Sequence, residues 1–243
     1  AHTYSRGDDQ FPSDTPSIFV KGKGAYIYDI NDEAYLDYGM GLRSVNIGYG
    51  DIEIADAAYN EILNGNNLTR ASLTELRAAE LFVDLIPSVE MVKFAKHGST
   101  VTTAAVKLAR AYTGRKYVAV PFEQPFFSFD DWFIGSTVIK LGTLEEASNY
   151  TLKFNYNDIS SLKKLFDEYP GQIAAVMLEP ATTQSPCTDK CPKENNNCIG
   201  CSNIENNFLH QIRELTKSNG TLMILDEMIT GFRWSLNGAQ SLY

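Results

Sequence analysis

A short apolar, β-prone run recurs along this chain, each time next to a segment whose apolar residues return with helical period, and few architectures accept that alternation. The runs are Met91–Ala95, Tyr117–Val120, Ile173–Leu178 and Leu222–Leu225. Ser99–Tyr112 places Val101, Ala104, Ala105, Leu108 and Tyr112 on one helical face, with Lys107 and Arg110 on others. Asp158 caps a helix that runs to Tyr169, and Phe208, Leu209, Ile212 and Leu215 form the face of a further helix that Gly220 ends. The pattern predicts an α/β fold, a mostly parallel sheet with flanking helices. Leu222–Leu225 is too apolar to be read as anything but a buried strand. It delivers Asp226 and Glu227 at its carboxyl end, where parallel sheets hold their ligands.

The first part of the chain reads differently. Ala25–Ile30 and Ala34–Tyr38 are extended segments around a polar Asn31-Asp32-Glu33 turn, which predicts a small hairpin. Two helices follow, Asp51–Leu63, ended by Gly65, and Leu73–Leu85, closed by Pro87.

Composition narrows the function. Thirty acidic against 21 basic residues give a formal charge of -9, which repels phosphate backbones and anionic lipid, so neither nucleic acid nor membrane is an expected partner. No apolar run approaches the roughly 20 residues needed to cross a bilayer. The first residues lack the basic-then-apolar order of a secretory signal, so a cytoplasmic location is expected.

Two stretches carry candidate chemistry. In KFAKHGSTVTTAAVKLAR, Gly98, Ser99 and Thr100 fall at a helix N-terminus, where free N–H groups and the helix dipole favour an anion such as phosphate. The plain alternative is a glycine that lets the chain turn and a serine that caps the helix, with Lys96 and His97 solvated or locally hydrogen-bonded nearby rather than catalytic. In LMILDEMITGFRW, burying Asp226 without a partner would cost several kcal/mol, so a cation is expected beside it. That cation is either a basic side chain such as Arg233 or the ring N–H of a pyridinium cofactor, with Glu227 behind it or toward substrate.

All four cysteines, Cys187, Cys191, Cys198 and Cys201, lie in one stretch with spacing C-x3-C-x6-C-x2-C. Four thiolates so crowded suit a structural tetrahedral zinc or an iron–sulfur cluster. Two disulfides, which a reducing cytoplasm disfavours, or four free thiols are the alternatives.

Taken together, KGKGAYIYDINDEAYLDY, IPSVEMVKF, the glycine turn, LARAYTGRKYVAV, AAVMLEP and LDEMITGFR resemble, in order and spacing, the class III, fold-type I pyridoxal-phosphate aminotransferases, and most closely the glutamate-1-semialdehyde aminomutases. The resemblance spans nearly the whole chain. It implies pyridoxal 5'-phosphate as cofactor, a small amino-containing metabolite as substrate, and a homodimer. Gly98 and Ser99 fall on the family's phosphate-binding turn, with Thr100 where the family has a glutamate; Asp226 falls on the carboxylate that pairs with the pyridine nitrogen, and Glu179 on a glutamate near the active site. The place of the family's ring-stacking aromatic and following histidine reads Pro125-Phe126-Phe127-Ser128, so Phe126 is expected to stack without a hydroxyl. Leu42 stands where the aminomutase has a tryptophan near substrate. The neighbouring Arg43 is either a substrate-anion ligand or a surface ion-pair partner.

Residues 1–70 are then expected to form an N-terminal segment with the hairpin, and 71–243 a partial large cofactor-binding domain with a cysteine-rich loop at 186–202. The family's Schiff-base lysine lies beyond the aspartate, and no lysine follows Asp226, so the fold is expected to be incomplete at its C-terminus. The expected activity is amino-group transfer, as aminotransferase or aminomutase. The alternative is a truncated non-catalytic relative that binds a ligand or partner.

Overall fold

The computed structural model describes residues 7–66, 68–124, 126–181, 184–187 and 207–243. It divides into two compact units, Ala1–Glu75 and Leu76–Tyr243.

In the first unit the expected hairpin is present as β2 (Tyr26–Asp29) and β3 (Ala34–Leu36), and an unforeseen strand β1 (Phe19–Lys23) pairs antiparallel with β2. Asp29 is buried and closes the turn by accepting from the N–H groups of Asn31 and Glu33, both at 2.9 Å. A single turn, α1 (Met40–Arg43), follows with φ of 47°, 56°, 58° and 70° at Met40, Gly41, Leu42 and Arg43. Left-handed backbone costs ordinary residues roughly 1–2 kcal/mol each. The Asp37 carboxylate offsets this by accepting from Gly39 N–H (2.9 Å) and Tyr49 Oη–H (2.5 Å), and those bonds outweigh partial burial to hold its carboxyl below the ordinary carboxylate range. Helix α2 (Ile52–Leu63) starts where expected, with Asp51 accepting from Ile54 N–H. Helix α3 (Leu73–Leu85), whose residues from Leu76 onward belong to the second unit, has the predicted bounds.

The second unit is built on a wholly parallel sheet of order β5-β4-β6-β7, formed by β4 (Tyr117–Pro121), β5 (Thr151–Phe154), β6 (Ile173–Leu178) and β7 (Leu222–Leu225). Helices α4 (Gly98–Thr113) and α5 (Asp131–Ile134) cover one face, where Val106, Val118, Val120, Phe127, Phe133 and Met177 pack together. Helices α7 (Ile159–Glu168) and α8 (Phe208–Ser218) cover the other, with Leu162, Phe166, Ile173, Val176, Leu209 and Ile212. A short α6 (Glu145–Ser148) precedes β5. At the amino end, Arg115 Nη1 donates to Ile173 O, Asn219 O and Thr221 Oγ1 at 2.8–3.1 Å, tying the starts of β6 and β7 together.

Three expectations are corrected. Met91–Ala95 is not a strand: no strand of the described residues pairs with it, Met91 is 88% exposed, and an apolar run without a ladder for its backbone has no reason to be buried. Strand β7 is half-buried rather than buried, because it lies at the sheet edge and has a strand partner on one side only among the described residues. The apolar face read on α4 is not the one that meets the sheet. Ser99, Thr102, Val106 and Ala109 are buried, while Leu108 and Tyr112 are 69% and 79% exposed; hydrogen bonds from the helix hydroxyls set the rotation, as described below.

On β5, Lys153 Nζ stands 4.8 Å over the centroid of the Phe133 ring, and burial lowers its pKa from 10.5 to about 8. The folded state then binds fewer protons than the unfolded chain between those values, so this group makes stability rise with pH across that window. Denaturant unfolding followed from pH 8 to 10.5 should show that rise, and Lys153→Met should flatten it.

Candidate functional site

Parallel strands all end at the same edge of the sheet, and here that edge gathers four elements. Leu178 and Leu225 are in register, so Glu179 and Asp226 leave the sheet side by side, and Asp226 N–H donates to Leu178 O at 2.9 Å. Glu179 is buried and doubly held by Gln124 of the β4–α5 loop: Gln124 Nε2 donates to Glu179 O and Glu179 N–H donates to Gln124 Oε1, both at 2.9 Å. Tyr156, whose hydroxyl donates to Pro180 O, is kept protonated by burial, which raises its pKa.

The Asp226 carboxyl is partly buried. Desolvation raises its pKa, and the hydrogen bond it accepts from Met228 N–H at 3.0 Å works against that shift. Among the described residues no ion pair joins it to Arg233, whose Nη1 group donates to Ile229 O. Glu227, read as standing behind Asp226 or toward substrate, has a carboxylate that accepts from Ala239 N–H (2.6 Å), Gln240 N–H (3.3 Å) and Thr230 Oγ1–H (3.0 Å), so it anchors the turn that follows Gly238.

Met228 also links this strand end to the start of α4. A Cβ on Gly98 would lie 3.1 Å from Met228 Cε, so only glycine allows the approach without displacing the methionine. The N–H groups of Gly98 and Ser99 belong to the first turn of a 16-residue helix and have no intrahelical acceptor. His97 is the cap: its Nδ1 accepts from Thr100 N–H at 3.4 Å, and the Thr100 hydroxyl lies 3.1 Å from Nε2. Ser99 is buried and its Oγ accepts from Phe129 N–H at 3.2 Å, which leaves the hydroxyl proton free to be donated elsewhere.

Between these points runs the loop after β4. Phe126 is 47% exposed and meets Phe133 edge-on at 6.3 Å, whereas Phe127, at the place of the family histidine, is buried against the same ring at 5.3 Å. The edge is therefore a circuit: the α4 turn to Met228, β7 to β6, Glu179 to Gln124, and Phe129 back to Ser99. Gln124 carried no sequence signal, because a glutamine shows its value only when both halves of its amide meet one backbone unit.

Leu42 and Arg43 belong to the first unit, where both are exposed and Leu42 lines a groove of about 790 Å³ with Asp37, Phe19 and Tyr49. Cys187 is buried, while Cys191, Cys198 and Cys201 lie outside the described residues. Among the described residues no group of three or more His, Cys, Asp or Glu side chains is placed to hold a metal, and no helix is long and apolar enough to cross a membrane.

This geometry has close counterparts. The chain is 31% identical to glutamate-1-semialdehyde 2,1-aminomutase 1 of Lachnoclostridium phytofermentans, over 95% of its own length and 52% of that protein. It is 33% identical to the glutamate-1-semialdehyde 2,1-aminomutase of Francisella philomiragia, over 94% and 51%. Among solved structures, the FumI protein of a Sphingopyxis species in its PLP internal aldimine form superposes with a TM-score of 0.78 at 28% identity, covering 94% of this chain and 51% of that one. The chain thus spans about half the length of the curated relatives it matches. The class-III aminotransferase family pattern matches residues 6–239, so the chain belongs to that family and its α/β sheet is that of the fold-type I pyridoxal-phosphate transferases.

Proposed function

We propose that the protein binds pyridoxal 5'-phosphate at the carboxyl edge of the parallel sheet and catalyses amino-group transfer, as aminotransferase or aminomutase, on a small amino-containing metabolite. The observation that carries this reading is Asp226: a partly buried carboxyl just past the edge strand, with one backbone donor and no cationic side chain among the described residues, linked through Met228 to the first turn of α4. Those features suit the group. A cationic ring N–H would supply a partner for the Asp226 carboxylate, and the first turn of α4 would supply donors for a phosphate.

When bound, the cofactor supplies a protonated ring that accepts the electron pair released as a substrate C–H bond breaks. Asp226 keeps the proton on the ring nitrogen. The N–H groups of Gly98 and Ser99, with the Ser99 hydroxyl and Thr100, bind the phosphate; Phe126 offers a ring face for stacking, and Glu179 borders the site from the neighbouring strand. Arg43 and Leu42 are assigned to the substrate. No lysine follows Asp226 in this sequence, and the lysine's role is assigned to no residue of this chain. A cytoplasmic homodimer fits the acidic composition and the family, and a zinc held by Cys187, Cys191, Cys198 and Cys201 would serve to staple a loop rather than to do chemistry.

The full-length protein should take up pyridoxal 5'-phosphate with a visible absorption band and move a ¹⁵N-labelled amino group, to a 2-oxo acid if it is an aminotransferase or within one molecule if it is an aminomutase. Asp226→Ala should slow that transfer by about a hundredfold or more, the usual scale for removing a preorganised electrostatic group. Cofactor uptake without transfer in either assay would favour the binding-module reading, and no uptake would end the proposal.

The same residue predicts a trade-off. Burial raises the Asp226 pKa, so the protonated carboxyl suits the folded state, and that advantage is lost as pH climbs from the ordinary aspartate value, about 4, through the raised one. Without cofactor, Asp226→Asn should therefore melt higher than wild type at neutral pH and equal to it in acid. Cofactor should then stabilise wild type more than the variant.

A further inference from the structure

The buried side of α4 is unusual for a helix on a sheet, because its first two turns meet the rest of the unit through hydroxyls. Ser99 Oγ accepts from Phe129 N–H, and Thr102 Oγ1 donates to Phe127 O at 2.8 Å. Thr103 does more. Its Oγ1 donates to Asp130 Oδ2 at 2.5 Å, accepts from Trp132 Nε1 at 2.8 Å, and lies 3.2 Å from the fully buried Ser128 Oγ, which itself accepts from Asp130 N–H at 3.1 Å. Asp130 occupies the N-cap position of α5, yet its side chain makes no capping bond and is spent on Thr103. A cap is worth about 1 kcal/mol to a helix, so the choice of partner is informative.

What Thr103 holds is the platform under Phe126. Trp132 and Phe133 are buried on α5, Phe133 packs against Trp132 at 5.7 Å, and the exposed Phe126 ring rests edge-on against Phe133. The Thr103 hydroxyl is the tie that reaches α5 itself, whereas Ser99 and Thr102 hold the 127–129 backbone to the first turns of α4. Removing that hydroxyl should loosen the α5 platform on which the Phe126 ring rests while the start of α4 keeps its His97 cap.

We propose that Thr103, through Asp130 and Trp132, is a positioning residue that fixes the distance between the phosphate-binding turn of α4 and the ring of Phe126, and so selects a ligand that is at once phosphorylated and aromatic. The inference rests on the proposed cofactor site. It concerns how two parts of that site are kept in register.

The test uses the full-length protein with two probes, pyridoxal 5'-phosphate followed by fluorescence quenching and inorganic phosphate, which reports the turn alone, followed by calorimetry. Thr103→Val should weaken pyridoxal 5'-phosphate by about tenfold, the factor that 1.4 kcal/mol carries, while inorganic phosphate stays within about twofold. Thr103→Ser, which keeps the hydroxyl, should restore wild-type binding. Introduced into Phe126→Ala, Thr103→Val should have no further effect, because its action passes through that ring. Asp130→Ala opens the same seam from the loop side and should show the same split if Thr103→Val proves too unstable to purify. Equal loss of both probes, or additive losses in the double variant, would make Thr103 merely structural and overturn the inference. A wild-type protein that binds phosphate but no pyridoxal 5'-phosphate would instead overturn the functional reading, and this inference with it.

Discussion

Strand β6 is the element around which the second unit is arranged. All six of its residues are buried, with a parallel partner on each side and helices on both faces. A strand so placed cannot slip by one residue without exchanging Val176 and Leu178, which face α7 and α8, for Met177, which faces α4. Fixing its register fixes where it ends. That end decides where Glu179 stands, and the pairing of Leu178 with Leu225 then decides where Asp226 stands. The chemistry at the edge is thus set by side chains deep in the core that never touch it.

Glycine and carboxylate do complementary work at that edge. Gly98 lets two segments far apart in sequence approach until Met228 lies against the helix start, and Asp226, two residues before Met228, is carried into place by the same strand end. The carboxyl is held at a cost, because burial opposes its charge. A group that is unfavourable until its partner arrives converts ligand binding into folding stability.

The parts legible in the sequence were those whose signal is local. The turn at Gly98, the helix start at Asp51, the cap at Asp158, the bounds of α3 and the delivery of Asp226 by an apolar run all follow from neighbours within a few positions. The parts that were not legible depend on partners far along the chain. Met91–Ala95 has the composition of a strand and lacks the ladder. The rotation of α4 is set by Thr102 and Thr103 reaching residues some 25 positions away, which helical periodicity does not register. Glu227 looks like its neighbour Asp226 until the turn it anchors, at 238–240, is placed beside it.

Two positions far apart in sequence, Cys187 and Phe208, are stitched together at the side of the second unit: Phe208 N–H donates to Cys187 O at 2.8 Å, and Asn157 Oδ1 accepts from Cys187 N–H at 2.9 Å. Contacts among the described residues thus fix both positions, so where the chain stands at Cys187 and at Phe208 is settled by Asn157 and by one backbone bond, independently of the sequence between them.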